Sequence, residues 1–150
     1  MTDNPAITVG IDGGYASGAA LELALREAFL RGAHVRAVAC WTADPERDGS
    51  ERLLCSSPEQ ADELLEIVTE TARRRHLLGV RVERETVPGP AGPALVEASR
   101  AADLLVLGSA DGGMSGSRHT GRTIGYCLRH ATPPVVVVPW TFDPLGPTWR

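Results

Sequence analysis

From residue 108 to 121 the chain reads GSADGGMSGSRHTG, five glycines among fourteen residues, with Arg118 inside the stretch and Arg122 directly after it. Glycines at that density let a backbone approach a ligand closely and aim several N–H groups inward, and the natural guest of such a nest is an anion. A helix predicted to begin near Thr120 brings its positive N-terminus to the same place, while Arg118 and Arg122 supply donors shaped for phosphate. The chemistry on offer is phosphate binding. Glycine-rich loops also arise where a chain simply turns sharply, and His119 reads either as a donor to phosphate or as an exposed loop histidine. Asp12, in the turn Asp12-Gly13-Gly14, can accept a hydrogen bond from a ribose hydroxyl or a base amine, or cap the helix that follows.

Other chemistries find less support. Every basic residue is arginine, which removes lysine as a nucleophile or Schiff base. Cys40, Cys55 and Cys127 lack metal-ligand spacing, and neither a Ser/His/Asp order nor an HExxH pattern occurs. Gly116 to Thr123 imitates the phosphate loop GxxxxGK[ST], but arginine stands for the lysine and only one strand follows it for a magnesium-binding aspartate. No catalytic residue is assigned, and any enzymatic role reduces to slow nucleotide hydrolysis.

The elements that must hold these residues alternate strictly. Ala6 to Ile11 is a short apolar strand; in the helix Ser17 to Leu30, Leu21, Ala24, Leu25 and Ala28 recur at helical spacing. His34 to Trp41 is a second strand. Ser57, Pro58 and Gln60 signal a capped helix start, with Leu64, Leu65, Val68 and Ala72 facing inward and Arg73 to Arg75 solvated at an end near Leu78. Val80 to Val87 alternates apolar and charged residues as an edge strand does; PGPAGP turns into a helix from Ala94 to Ala101. Leu104 to Leu107 has no polar face, which demands cover on both sides, and the helix to His130 precedes a last strand, Pro134 to Pro139.

This β-α-β-α order requires right-handed crossovers, so the fold class is α/β: a five-stranded parallel doubly wound sheet with helices on both faces. With the third strand at an edge the order is 3-2-1-4-5. Ligands in such sheets bind beyond the carboxyl ends of the strands where the order reverses, between strands one and four. Asp12 and the stretch from Gly108 to Gly121 meet there.

At 150 residues a single domain is expected, its core about residues 5 to 140 and its tail 141 to 150. Apolar residues at 43% and charged residues at 23% suit a globular protein, and a net charge of −4 offers no field for nucleic acid or an anionic membrane. Cysteine usage, and a start without a basic segment followed by a long apolar run, point to a reducing cytoplasm.

Three segments, VGIDGGYASGAALELALREAFLRGAHVRAVACW, LLVLGSADGGMSG and TIGYCLRHATPPVVVVP, together resemble the universal stress protein family over nearly the whole chain. The resemblance implies a parallel sheet of this order, homodimers and, in one branch, ATP bound through Gly-x2-Gly-x9-Gly-[Ser/Thr]. Gly108 and Gly121 stand at the outer glycine positions, Asp111 at the middle one, and Arg122 replaces the hydroxyl residue. Asp111 repels phosphate unless Arg118 or Arg122 neutralises it, and Gly112 is placed to act for the missing glycine. The implied ligand is ATP or a related adenine nucleotide, with Mg2+. It would be held by Asp12, Gly13, Cys40, Gly108, Asp111, Gly112, Arg118, Gly121, Arg122 and Thr123, with Asp12 and Cys40 bordering the adenosine.

The run VVVVPW is apolar on both faces yet falls at a sheet edge, a pairing hazard that a partner would cover. In the resembled family the last strands of two subunits pair, which implies a homodimer through Val135, Val136, Val137 and Val138 with Trp140 adding area; alternatively the tail folds back over the edge. The functional expectation is a stress-response or regulatory module binding an adenine nucleotide. The alternative is a dimeric interaction protein of the same family, acting on a protein partner through a degenerate phosphate site.

Overall fold

The computed structural model describes residues 4–44, 55–75, 79–109 and 117–139. Nine elements follow in order: β1 Ala6–Ile11, α1 Tyr15–Arg31, β2 His34–Trp41, α2 Pro58–Arg75, β3 Val82–Pro88, α3 Ala91–Ala98, β4 Leu104–Gly108, α4 Ser117–His130 and β5 Val135–Val138. All strand pairs are parallel and the order is β3-β2-β1-β4-β5, as expected.

Alternation along the strands divides the interior in two. Ile7, Val9, Val35, Ala37 and Val106 pack against Leu21, Ala24 and Ala28 of α1 and Leu65 of α2, whereas Val38, Leu105 and Leu107 meet Leu95 of α3 and Cys127 of α4. All four apolar positions predicted for α1 are buried. Its end is closed by Gly32 in the left-handed conformation (φ 65°), after which the Ala33 N–H donates to the Ala28 carbonyl at 2.8 Å. At the start of α2 the Ser57 hydroxyl accepts the Gln60 N–H (3.2 Å), and the Gln60 side chain reaches back to the Ser56 N–H at 2.8 Å. The inner face of α2 is Ala61, Leu65, Thr69 and Ala72; Leu64 and Val68 are half-buried.

Three helix starts differ from what the sequence predicts, the first being α1, which begins at Tyr15 rather than Ser17. Helix α3 begins three residues early, because Pro90 caps it and Pro93 falls in the first turn, where a missing N–H costs nothing. Helix α4 begins at Ser117 rather than near Thr120.

The two sheet edges contrast. β3 carries Glu83, Arg84 and Glu85, which pair with His34 and Arg81, Asp62 and Arg36 respectively. β5 carries four valines. No helix among the described residues is long and apolar enough to cross a membrane.

Candidate functional site

The site is built where β1 and β4 lie side by side, in register from Ile7↔Leu104 to Val9↔Val106. Beyond β1 the chain turns through Gly13 at φ 87°, a conformation only glycine adopts cheaply, and Gly14 opens α1. Asp12 is exposed, and its Oδ1 accepts the Gly14 N–H at 2.8 Å. It therefore holds the turn ahead of the helix rather than capping the helix itself, whose N-cap is Gly14. That bond occupies one carboxylate oxygen.

β4 ends on Gly108, and the reason for a glycine here is a close approach. A Cβ on Gly108 would stand 2.5 Å from the backbone carbon and oxygen of Ala16 and 2.8 Å from the Ser17 nitrogen. Helix α1 thus seats its first turn directly on the end of β4, and the Asp12 turn just before that helix lies at the same end of the sheet, the mouth of the candidate site. On the opposite face Gly10 does the same for α3: a Cβ would meet Leu107 at 3.0 Å and Leu95 at 3.1 Å. The sequence reading passed over Gly10 and Ser17; an isolated glycine inside an apolar strand was the available signal for the first.

Cys40, near the end of β2, is buried among Val38, Leu95, Leu107 and Cys127. Burial foremost, and then Cys127 and Cys55, push its thiol up to about 12, while burial raises Cys127 to about 11. Both stay protonated at neutral pH. The Cys40 side chain belongs to the core.

Because α4 starts at Ser117, Gly121, Arg122 and Thr123 lie past the first turn, whose N–H groups are the unpaired ones. Arg118 falls in that first turn, and His119 too is part of the helix rather than of a loop. Gly121 and Arg122 are exposed and Thr123 is half-buried. Among the described residues, a Cβ on Gly121 would meet nothing within 4 Å. Asp111 and Gly112 lie outside the described residues. Among those residues no three His, Cys, Asp or Glu side chains gather as a metal ion would require.

Residues 4–139 match the universal stress protein family. The chain belongs to that family. Two curated members from Mycobacterium tuberculosis, universal stress proteins Rv2624c and MT2699, are each 32% identical to it over 133 residues, 88% of this chain and 47% of theirs. The chain thus spans about half the length of the curated relatives it matches. Among solved structures it resembles a universal stress protein in complex with cAMP (TM-score 0.67, 22% identity, 93% of this chain and 100% of that one). It also resembles the universal stress protein from Archaeoglobus fulgidus in complex with dAMP (TM-score 0.63, 20% identity, 92% and 99%). At these identities the likeness is one of fold.

The valines of this universal stress protein are unequally available at the β5 edge. Val137 is 36% exposed, Val135 and Val136 are half-buried, and Val138 is only 2% exposed. Val138 packs into the α1 side of the core, so it adds no side-chain surface for a partner. Trp140 lies outside the described residues.

Proposed function

We propose that this universal stress protein is a regulatory module of the stress response that binds an adenine nucleotide in the mouth between the ends of β1 and β4. The observation that carries the reading is the seating of the first turn of α1, which follows the exposed carboxylate Asp12, on Gly108 at the end of β4, where the strand order reverses. The cAMP and dAMP held by two structural neighbours support the ligand class. Asp12 suits ribose or base, and Arg118 and Arg122 suit phosphate. ATP with Mg2+ is the larger ligand of the same class, and occupancy signals rather than fuels.

Calorimetry with AMP, cAMP and ATP plus Mg2+ tests this directly. Wild type is expected to bind at least one of them and Asp12→Ala about tenfold more weakly, the cost of a hydrogen bond to a charged group. Absence of heat with all three, together with native mass spectra free of nucleotide, removes the reading.

The same reading includes a homodimer through β5, supported by the contrast between this valine edge and the charged β3. Light scattering at micromolar concentration that finds only monomer counts against it.

One observation favours a second reading. The glycine at position 108 is fully accounted for by its contact with α1, so it needs no phosphate to explain it. A dimeric interaction protein with a degenerate phosphate site would keep this glycine. Capture of a protein partner unaffected by Arg118→Ala and Arg122→Ala, alongside empty calorimetry, would favour that alternative.

A further inference from the structure

Gly14 is held from both sides. Its N–H donates to Asp12 Oδ1 at 2.8 Å, and its carbonyl accepts both the Ser17 hydroxyl at 2.9 Å and the Gly18 N–H at 3.3 Å. The turn is tight, since a Cβ on Gly14 would stand 3.2 Å from Asp12 Oδ1. Ser17 is itself fixed: it is 4% exposed, and its backbone nitrogen is one of the atoms that leave no room for a side chain at Gly108.

The helix already supplies the Gly14 carbonyl with a donor in Gly18, so the serine hydroxyl is an additional one. What the extra bond does is fix the peptide group between Gly14 and Tyr15, and with it the first turn on which Gly14 rests. The carboxylate of Asp12 is anchored to that same residue. A chain of two bonds therefore runs from the buried helix start, pinned against β4, to the exposed acid at the mouth.

We infer that Ser17 is a positioning residue for Asp12, acting through Gly14 to hold the carboxylate where an adenine nucleotide would meet it. The inference rests on the nucleotide reading for its functional consequence, and on the Ser17–Gly14–Asp12 bonds for its structural one. Ser17 needs no contact with the ligand.

Two measurements on the full chain separate these parts. In Ser17→Ala, exchange of the Gly14 amide with deuterium should quicken several-fold while the Val9 amide in β1 keeps its wild-type rate; Ser17→Cys, which keeps the volume with a weaker donor, should fall between. With AMP in the calorimeter, Ser17→Ala should bind about three- to tenfold more weakly than wild type, the range for one lost hydrogen bond, and should cost nothing further once Asp12 is already alanine. An unchanged Gly14 amide in both variants, or losses that simply add in the double variant, overturns the positioning role. If wild type takes up no AMP, the nucleotide reading fails, and the Gly14 amide still decides whether Ser17 governs the turn.

Discussion

Gly108 and Gly121 occupy equivalent places in the glycine pattern, the two outer positions, yet the fold treats them oppositely. Around Gly108 the backbone of α1 fills the space a side chain would need. Around Gly121, in the second turn of α4, no atom of the described residues lies within reach of a side chain, and the residue is exposed. A glycine inside a helix costs stability relative to alanine, so one that no neighbour demands calls for another reason. The first glycine tells how the mouth is assembled; the second is where a ligand's requirement can be read without interference from packing. Cys40 falls on the side of Gly108, its side chain taken by the core, and exposed Asp12 on the side of Gly121.

The largest effect expected from this contrast is at Gly108. Alanine there drives a methyl group into the Ala16 carbonyl at 2.5 Å, and backbone cannot rotate away as a long side chain can. Gly108→Ala should lose about 3 kcal/mol or more, the upper end of what overpacking costs, as measured by urea denaturation. A variant of wild-type stability would mean that α1 does not rest on β4 in solution, and the contrast would collapse.

Next in size is the alkaline response of Cys40. Folding raises its thiol from the ordinary 9.0 to about 12, so the unfolded chain gives up that proton first. The stabilisation is complete below about 9 and is lost as pH rises through the interval to about 12, at up to about 1.4 kcal/mol per pH unit. Between pH 9 and 10.5 wild type should therefore lose about 2 kcal/mol that Cys40→Val does not. Equal slopes in the two proteins would show that the thiol reaches solvent, and would return Cys40 to the lining of the mouth.

Much of this was legible in the sequence wherever the deciding signal was local. Alternation in VERETV placed β3 at the edge, the doubly apolar LLVL placed β4 inside, and Ser57 caps the helix as the spacing predicts, although Gln60 reaches back one residue further, to Ser56. Proline misled at α3, because PGPAGP reads as a turn until Pro93 is seen to fit the first turn of a helix. The reason for Gly108 was beyond sequence reading altogether, since it depends on Ala16, a residue far away along the chain. Asp12 was placed correctly at the reversal of strand order, but its bond to Gly14 rather than to the helix depends on how the turn closes. The valines of β5 looked interchangeable, and only the folded packing separates Val138, buried on the α1 side of the core, from exposed Val137.

The smallest effect is the most discriminating. Gly121→Ala meets no atom of the described residues, and alanine suits a helix better than glycine, so the fold should gain about 0.5 to 1 kcal/mol. If a nucleotide phosphate packs against this turn, the added methyl group occupies space the ligand needs, and AMP binding should weaken although the protein is more stable. Stability and affinity moving in opposite directions is what a merely tolerated glycine cannot produce. If Gly121→Ala instead gains stability and binds AMP as wild type does, the second outer glycine has no ligand to answer to. The phosphate then lies elsewhere in the mouth, with Arg118 or the first turn of α4 as its remaining donors.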